Sequence, residues 1–416
     1  MLAIRKILRL IKILWLVFKK VGVRESFTQL IGIIRLSLLR AEMKFSYESA
    51  PPAPAVPTEP IRIRPPRGSL NVLILNGFPE DWALYRYRVK QKIEQLHAVG
   101  ARVNVVHFDS PDLVSVALEH SHTILYRLPI TERLMELASE AKKGGLPLIF
   151  DIDDLIFDLQ ICQEIDGIQI LNDLDRQEYL QNMARIVEAM KLCKYGLAPT
   201  RPLKDRLERM GLKTYVHRNG IETEMMQISE RAIRGKIDKK QVIISYMSGS
   251  NTHNRDFQIC SRALAEILEK YDSVRLYIFG WLTTDDLLKP YESKIVHIPF
   301  MHWRELAVFT KDVDINLSPL EENEFCNSKS ELKYLEAGIL EIPTIASPRL
   351  AFSEVIRHGE NGLLAETHEE WVQSLDLLIQ DKAIRTAMGK RAREHILKQY
   401  DPQRMGEGLA NFLRSI

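Results

Sequence analysis

Short runs of apolar residues alternate with segments of helical periodicity from about residue 71 to the end of the chain. Such runs, bounded by Gly, Pro, Asn or Asp, are typical of buried strands. The predicted strands are residues 71–75, 103–107, 123–126, 146–150, 214–217, 242–247, 274–279, 295–298, 314–318 and 344–346. Because strands that alternate with helices form parallel sheets covered on both faces, we predict an α/β fold with two Rossmann-like, doubly wound domains facing across a cleft.

Shifts in composition divide the chain into six segments. Residues 51–66 contain seven prolines, which predicts a semi-rigid extended linker. Residues 223–240 are charged and lack strong apolar periodicity, so we interpret them as the connection between the two domains. The expected segments are a helical arm (1–50), a linker (51–68), an N-terminal domain (69–222), the connection (223–240), a C-terminal domain (241–399) and a last helix crossing back to the N-terminal domain (400–416).

The arm has the pattern of a basic amphipathic helix. Apolar residues share one helical face, namely Ile4, Leu8, Ile11, Trp15 and Phe18. Cations share another face, namely Arg5, Arg9 and Lys12. The longest uncharged run in residues 4–20 has six residues, whereas a membrane-spanning helix needs about 20. We expect the arm to lie on an anionic membrane surface; the alternative is that it packs against its own protein or a partner.

The charge distribution indicates the class of binding partner, and the spacing of the cysteines indicates the cellular compartment. Residues 1–44 carry ten Lys or Arg and two Glu, while the whole chain has a net charge of +2. The remaining residues are therefore net acidic, which excludes a general nucleic-acid binder. The four cysteines have neither metal-ligand nor redox-motif spacing, so we predict free thiols in a reducing compartment. The expected location is the cytoplasm, peripheral on the inner face of the cell membrane.

The first candidate site follows the predicted strand 314–318. The segment S-K-S-E-L-K-Y-L-E-A-G begins at Ser328, and Ser328 with Glu331 fits a capping box that starts a helix. A helix start attracts anions, and Lys329, Lys333 and Glu336 would share one face. We predict a diphosphate at this helix start and sugar or ribose hydroxyls on the carboxylate. The alternative is a capped helix with a surface Lys–Glu pair.

The second candidate site is the loop after the first strand of the C-terminal domain. Gly249, Ser250 and Asn251 permit a tight turn with exposed N–H groups. His253 and Arg255 could then reach anionic oxygens, and a guanidinium can bind phosphate through two hydrogen bonds. The alternative is a polar strand-to-helix loop capped by the neighbouring Asn or Asp.

These residues carry a resemblance to a known family. The C-terminal half resembles retaining glycosyltransferases of the GT-B fold, glycosyltransferase family 4 (group 1). The similar segments are G-S-N-T-H-N-R-D-F (249–257), V-R-L-Y-I-F-G (274–280), D-I-N-L-S-P (314–319), K-Y-L-E-A-G-I-L-E-I-P-T-I-A-S (333–347) and E-V-I-R-H-G-E-N-G-L (354–363). The N-terminal half is similar to a branch of the family at Y-R-Y-R-V (85–89), F-D-I-D-D-L-I-F-D (150–158) and R-N-G (218–220).

The resemblance implies a metal-independent, retaining transfer from a nucleoside diphosphate sugar, with no cofactor. Arg255 and Lys329 would stabilise the leaving diphosphate and Glu336 would hold the ribose, so these three are the expected catalytic residues. The other expected donor-binding residues are Gly249, Ser250, Asn251, His253, Ser328, Ser330 and Lys333. One position departs from the family pattern, because Ser328 stands where the first of two glutamates is usual.

The acidic run after the predicted strand 146–150 supports more than one hypothesis. Asp151, Asp153 and Asp154 would lie at the cleft edge of the first sheet, where they could bind acceptor hydroxyls or act as a base. Arg86 and Arg88 could bind an acceptor phosphate. A D-x-D pair could instead hold a divalent metal, as in GT-A glycosyltransferases, or belong to an aspartyl phosphatase. The structural alternative is helix capping and internal salt bridges to the two arginines.

The expected function is therefore the transfer of a hexose or deoxyhexose to a glycan or lipid-linked acceptor in polysaccharide biosynthesis of the cell envelope. Two alternatives remain. The chain could be a non-catalytic, sugar-nucleotide-binding scaffold subunit, or a metal-dependent transferase that uses Asp151 and Asp153.

Overall fold

The computed structural model describes residues 70–169, 171–237, 239–249 and 254–416. The predicted arm and linker, and with them the expected membrane contact of residues 1–44, lie outside the described residues. Within the described parts, no helix is both long and apolar enough to cross a membrane.

The first domain contains a six-stranded parallel sheet of order β2-β1-β3-β4-β5-β6. Every residue of β1 (Asn71–Asn76) is buried, as expected for a parallel strand covered on both faces. The strands are β1 (Asn71–Asn76), β2 (Arg102–His107), β3 (His122–Tyr126), β4 (Leu148–Asp151), β5 (Tyr195–Ala198) and β6 (Lys213–Val216).

Helices cover both faces of this sheet. They are α1 (Ala83–Tyr85), α2 (Gln91–Ala98), α3 (Leu113–Leu118), α4 (Glu132–Gly144), α5 (Leu159–Glu164), α6 (Asp166–Gln169), α7 (Asp173–Met190) and α8 (Arg201–Arg209). The helical segment between β1 and β2 is not uniform, because Arg86–Lys90 forms a π-helical turn between α1 and α2. Such wide turns are rare and often occur at functional sites.

The second domain contains a six-stranded parallel sheet of order β12-β11-β10-β7-β8-β9. Its strands are β7 (Val242–Ser248), β8 (Val274–Gly280), β9 (Ile295–Ile298), β10 (Ile315–Ser318), β11 (Thr344–Ala346) and β12 (Leu363–Leu364). The chain leaves β7 toward β8 and β9 and later returns to β10 on the other side. Doubly wound sheets bind ligands at the carboxyl ends of their strands beside this reversal.

The helices of the second domain complete the fold. They are α9 (Thr223–Arg234), α10 (Asn254–Lys270), a 3₁₀ segment (Asp286–Lys294), α11 (Trp303–Phe309), α12 (Glu324–Asn327), α13 (Leu332–Gly338), α14 (Leu350–Val355), α15 (His368–Gln380), α16 (Lys382–Gln399) and α17 (Pro402–Arg414).

Two of these helices connect the domains. Helix α9 lies in the segment interpreted as the interdomain connection, where we expected no strong apolar periodicity; that part of the expectation was wrong. Its residues Met225, Ile228 and Ala232 recur at helical spacing and belong to the core of the second domain. Helix α17 packs on α2, where Gly406 permits close approach because an added Cβ would lie 2.0 Å from the carbonyl oxygen of Gln95. The last helix therefore belongs to the core of the first domain.

Candidate active site between the two sheets

A cavity of about 560 Å³ opens between the domains at the carboxyl ends of their strands. Polar side chains from both domains line it. They are Gln160, Glu164 and Gln169 from the first domain, and Arg255, Asp256, Glu321, Asn323 and Glu324 from the second, with Ile161, Ile165, Phe325 and Cys326. Carboxylates and amides that converge on a concave site are suited to binding hydroxyl-rich ligands.

The loop after β7 leads to the cationic wall of this cavity. Ser250, Asn251 and His253 lie outside the described residues, Gly249 is the last described residue before them, and Arg255 lies in the first turn of α10 and lines the cavity. Gly280 at the end of β8 packs closely against Ser248, where the loop starts. Gly280 has a φ of +89°, and an added Cβ would lie 1.9 Å from the Ser248 carbonyl oxygen. Only glycine fits there without a shift of the backbone.

The predicted capping box at Ser328 was wrong. Ser328 is buried, and its hydroxyl donates to the carbonyl oxygen of Glu324 at 2.8 Å instead of capping the following helix. Helix α13 begins at Leu332, with Glu331 as an N-cap whose side chain makes no capping hydrogen bond. Lys329 therefore lies in the turn before the helix, and only Lys333 and Glu336 lie on α13. A seven-residue helix is a weak dipole, so positive charge at this site comes mainly from side chains.

Two lysines supply that charge beside the cavity. Lys329 Nζ lies 4.5 Å from the centre of the Phe325 ring, which lines the cavity together with Arg255. Lys333 Nζ lies 4.1 Å from the centre of the Tyr246 ring. It is buried, and no described residue accepts a hydrogen bond from it. Burial, reinforced by the nearby charge of Lys329, lowers the pKa of Lys333 to about 8. Arg255 therefore lines the cavity, Lys329 packs on a ring of its wall, and Lys333 is buried next to Tyr246.

Ser330 takes part in an interdomain contact. Its hydroxyl accepts a hydrogen bond from Asn219 Nδ2 at 3.0 Å. Arg218 of the same R-N-G turn donates to Glu331 Oε1 at 2.9 Å, and Tyr400 donates to that oxygen at 2.6 Å. The motif that resembles the family in the first domain therefore holds the start of α13 in place.

Glu336 lies at the joint between the domains. Its Oε1 accepts a hydrogen bond from the Tyr87 hydroxyl and lies 3.6 Å from Arg86 Nη1. Sequence reasoning did not single out Tyr87, although it lies inside the quoted Y-R-Y-R-V segment. The π-helical turn places Arg86 and Tyr87 side by side against the second domain, and the sequence pattern did not predict this turn.

Arg86 is almost fully buried at the same joint. Its Nε donates to Glu222, and its guanidinium carbon lies 4.0 Å from the centre of the Trp303 ring. The side chain is about 4% exposed, which leaves little surface for the predicted acceptor phosphate. Its position favours a role at the interdomain joint.

Arg88 and Asp151 form a buried ion pair inside the first domain. Asp151 Oδ1 accepts hydrogen bonds from Arg88 Nε and Nη2, and Asp151 Oδ2 lies 2.5 Å from Lys92 Nζ. Both members of the pair have fully buried side chains, so an acceptor cannot contact them. The salt-bridge alternative fits these two residues, and the acceptor-binding hypothesis does not. Burial, reinforced by Arg88, lowers the pKa of Lys92 to about 7.

Asp153 and Asp154 remain at the cleft edge of the first sheet. Asp153 accepts hydrogen bonds from the Tyr126 hydroxyl at 3.0 Å and Arg127 Nη1 at 3.2 Å, and Asp154 lies 3.4 Å from the same guanidinium. Burial and the neighbouring Asp154 raise the pKa of Asp153. Arg127 has a φ of +49°, an uncommon conformation that costs energy and recurs at functional sites. A carboxylate of raised pKa is suited to exchanging a proton with an acceptor hydroxyl.

One group of potential metal ligands occurs in the cavity wall. The ligand atoms of Asp256, Glu321 and Cys326 all lie within 4.8 Å of one another. The Cys326 thiol donates to Asp256 Oδ1 at 3.3 Å, and burial raises its pKa to about 12. In this arrangement the thiol of Cys326 is engaged by Asp256 in the cavity wall.

Comparison with known proteins is consistent with this geometry. Residues 241–381 match the model of the family described as Glycosyl transferases group 1, a span that covers most of the second domain. No curated protein sequence matches the chain. The expected resemblance to group 1 glycosyltransferases is thus confirmed for the second domain, while assignment to family 4 stays a prediction.

Solved structures confirm the fold. The Anabaena protein HepE in complex with UDP and glucose matches 83% of this chain and 100% of its own, at 13% identity and a TM-score of 0.55. Sucrose-phosphate synthase from Thermosynechococcus elongatus matches 83% of this chain and 98% of its own, at 12% identity and a TM-score of 0.53. The predicted GT-B arrangement of two parallel-sheet domains is therefore correct.

Proposed function

We propose, from the premise that the second domain is that of a group 1 glycosyltransferase, that this protein transfers a sugar from a nucleoside diphosphate sugar to a glycan or lipid-linked acceptor. The observation that carries the proposal is the buried ammonium group of Lys333, which finds no hydrogen-bond acceptor among the described residues and lies within electrostatic range of Lys329 and of Asp256 in the cavity wall. A buried cation without a hydrogen-bond acceptor is costly unless an anion joins it. The diphosphate of a sugar nucleotide supplies that anion.

The three cations would act mainly on the leaving group. As the bond between the anomeric carbon and the diphosphate breaks, negative charge develops on the phosphate oxygens. Cations held in advance around that position lower the barrier, because no rearrangement is needed when the charge appears. In this scheme Lys329, Lys333 and Arg255 bind the diphosphate, and Glu336 binds the ribose.

The sugar would occupy the cavity between the domains. Ser328 has no carboxylate to offer at the position where the family pattern has a glutamate. Its buried hydroxyl donates a hydrogen bond to the Glu324 carbonyl oxygen. Glu321 and Asn323 line the cavity from the preceding loop and offer a carboxylate and an amide. We assign to this loop the contacts with the donor sugar. The sugar itself is expected to be a hexose or deoxyhexose.

The acceptor would enter from the first domain, beside Asp153 and Asp154. Retention of anomeric configuration and metal independence follow from the family resemblance and form part of the proposal. So does a role in polysaccharide biosynthesis at the cytoplasmic membrane face, to which the basic arm of residues 1–44 would bind.

A release assay tests the proposal. Purified full-length protein is incubated with UDP-, GDP-, ADP- and dTDP-sugars, with and without lipid extract as acceptor, and the free nucleoside diphosphate is measured. We expect release from one nucleotide class, stimulated by acceptor. Binding of a sugar nucleotide without release on any acceptor would instead favour the scaffold-subunit alternative.

A further inference from the structure

A row of aromatic rings lies at the carboxyl edge of the first sheet. It begins at Tyr126, the last residue of β3, whose hydroxyl donates to Asp153 Oδ2 at 3.0 Å. The centre of the Phe78 ring lies 5.3 Å from that of Tyr126, and the centre of the Trp82 ring lies 6.3 Å from that of Phe78. The row therefore leads from the carboxylate to which the proposed function assigns the acceptor proton out to Trp82.

The loop after β1 holds Phe78 in this row. Asn76, the last residue of β1, accepts a hydrogen bond from the Phe78 N–H at 3.1 Å and donates one to the Phe78 carbonyl oxygen at 2.7 Å. Gly77 lets the ring of Phe108 approach the loop, because an added Cβ would lie 2.9 Å from that ring. Strands β1 and β3 are neighbours in the sheet, so the loop brings Phe78 to the end of β3.

Trp82 is the exposed end of the row. It is 53% exposed and is the N-cap residue of α1. Its N–H donates to the Pro79 carbonyl oxygen at 3.1 Å, and its own carbonyl oxygen accepts from the Arg86 N–H at 3.0 Å. A single exposed apolar side chain needs no explanation by itself. Here, however, the backbone is held in place and the ring continues a row that starts at the candidate base.

The charges around the row are mostly negative. Residues 78–82 read F-P-E-D-W and carry two carboxylates and no Lys or Arg. Asp153 and Asp154 add two more carboxylates, which share the guanidinium of Arg127. The two arginines that were expected to bind an acceptor phosphate are buried in ion pairs. A phosphate would be repelled by these carboxylates, whereas hydroxyl groups could donate hydrogen bonds to them.

A sugar ring combines the two properties that this surface requires. One face of a pyranose presents C–H groups, which can pack on the negative face of an aromatic ring. The hydroxyl groups at its rim can donate to carboxylates. An alkyl chain offers no hydroxyl groups, and inorganic phosphate offers no apolar face. Aromatic rings combined with a few polar groups are typical of sites that bind small molecules.

We propose that Trp82 is a stacking platform for a sugar ring of the acceptor, and that the acceptor therefore presents a neutral glycan end, whether free or lipid-linked. This inference rests on the proposed function, since it assumes that an acceptor binds beside Asp153. It assigns Trp82 a role in acceptor binding and specificity and leaves proton transfer to the carboxylate.

Sugar binding by Trp82→Leu tests the proposal, because leucine keeps an apolar side chain and removes the flat ring. The probes are methyl and octyl β-glycosides of glucose, galactose, mannose and N-acetylglucosamine, which represent a free and a lipid-linked glycan end. Dissociation constants are measured with full-length protein by ligand-observed NMR, which suits weak ligands. For the sugar that wild-type protein binds most tightly, we expect Trp82→Leu to lose about tenfold in affinity for both glycosides.

Two further variants are the controls. Trp82→Phe retains an aromatic face, so its loss should stay below about threefold. Trp281→Leu removes a tryptophan of similar exposure, 57%, that follows β8 in the second domain. Its glycoside affinities should stay within about twofold of wild type. The affinity of Trp82→Leu for UDP, GDP, ADP and dTDP, measured by calorimetry, should also change less than about twofold, which shows that the variant is folded.

The outcomes separate the inference from the proposed function. Wild-type protein that binds none of the four nucleoside diphosphates contradicts the proposed function itself. If wild-type protein binds a nucleoside diphosphate but none of the glycosides, or if Trp82→Leu binds them as wild type does, only the inference is overturned. A loss confined to the octyl glycosides also overturns it, because the alkyl chain and not the sugar ring would then lie on Trp82.

Discussion

Lys333 Nζ lies 4.1 Å from the centre of the Tyr246 ring and finds no hydrogen-bond acceptor among the described residues. The aromatic face provides a partial counterpart for the charge, because the ring carries negative potential on its face. It does not replace a hydrogen-bonded anion. In the proposed function, a bound diphosphate supplies that anion.

This relationship predicts a pH-dependent affinity for diphosphates. Burial lowers the pKa of Lys333 to about 8, so the lysine of the free protein loses its charge as the pH rises through that value. A bound diphosphate stabilises the charged form, so binding takes up a proton and weakens as the pH rises. We expect affinity to fall by up to about tenfold for each pH unit above about 8. Calorimetry between about pH 7.5 and 9.5 measures this, in a range where phosphate esters are fully ionised.

The matched control for this effect is Lys333→Gln, which cannot titrate. Its affinity should be lower than that of wild-type protein at about pH 7.5 and nearly independent of pH. An equally steep decline in the variant would show that some other group titrates.

Removal of metal ions should leave activity intact. In the proposed function, the cations of Arg255, Lys329 and Lys333 provide the positive charge that a divalent metal would otherwise supply to the leaving diphosphate. Turnover in excess EDTA should therefore remain within about twofold of the untreated rate. A loss that Mg²⁺ or Mn²⁺ restores would contradict metal-independent transfer.

Asp151 and Asp153, two positions apart, should differ in what their loss affects. Asp151→Asn leaves Arg88 and Lys92 buried without a countercharge, so we expect the free energy of unfolding to fall by about 3 kcal/mol or more. Urea denaturation measures the loss. A decrease below about 1 kcal/mol would contradict the structural role given to this pair.

Asp153→Asn should act on transfer more than on stability. The side chain of Asp153 is 13% exposed, and in the proposed function its carboxylate receives a proton from an acceptor hydroxyl. We expect acceptor-dependent transfer to fall by about a hundredfold while donor affinity stays within about twofold. Rates with saturating donor and varied acceptor measure this. An unchanged transfer rate would remove Asp153 from the reaction.

The sequence predicts most of the fold because strongly apolar strands leave a clear pattern. The exceptions have physical reasons. Strand β5 (Tyr195–Ala198) escaped prediction because it has four residues and a central glycine, and β12 has only two residues. Helix α9 was missed because its charged face obscures the apolar residues that reach the core.

The sequence predicted which types of residue form the candidate site, but not the contacts between them. Residue types and spacing pointed to Arg255, Lys329 and Glu336; the structure places Arg255 in the cavity wall and Lys329 against the ring of Phe325 in that wall. The contact between Tyr87 and Glu336 joins positions 249 residues apart, and no local pattern encodes such a pairing. The sequence likewise could not show that Arg88 and Asp151 neutralise each other in the core.

The most direct test of the account is a titration with nucleoside diphosphates and the matching nucleosides. Wild-type protein should bind one nucleoside diphosphate and its sugar, and Arg255→Ala and Lys329→Ala should each weaken diphosphate binding by about tenfold or more while nucleoside binding changes less than about twofold. Equal losses for the diphosphate and the nucleoside, or no binding of any nucleoside diphosphate to wild-type protein, would contradict it.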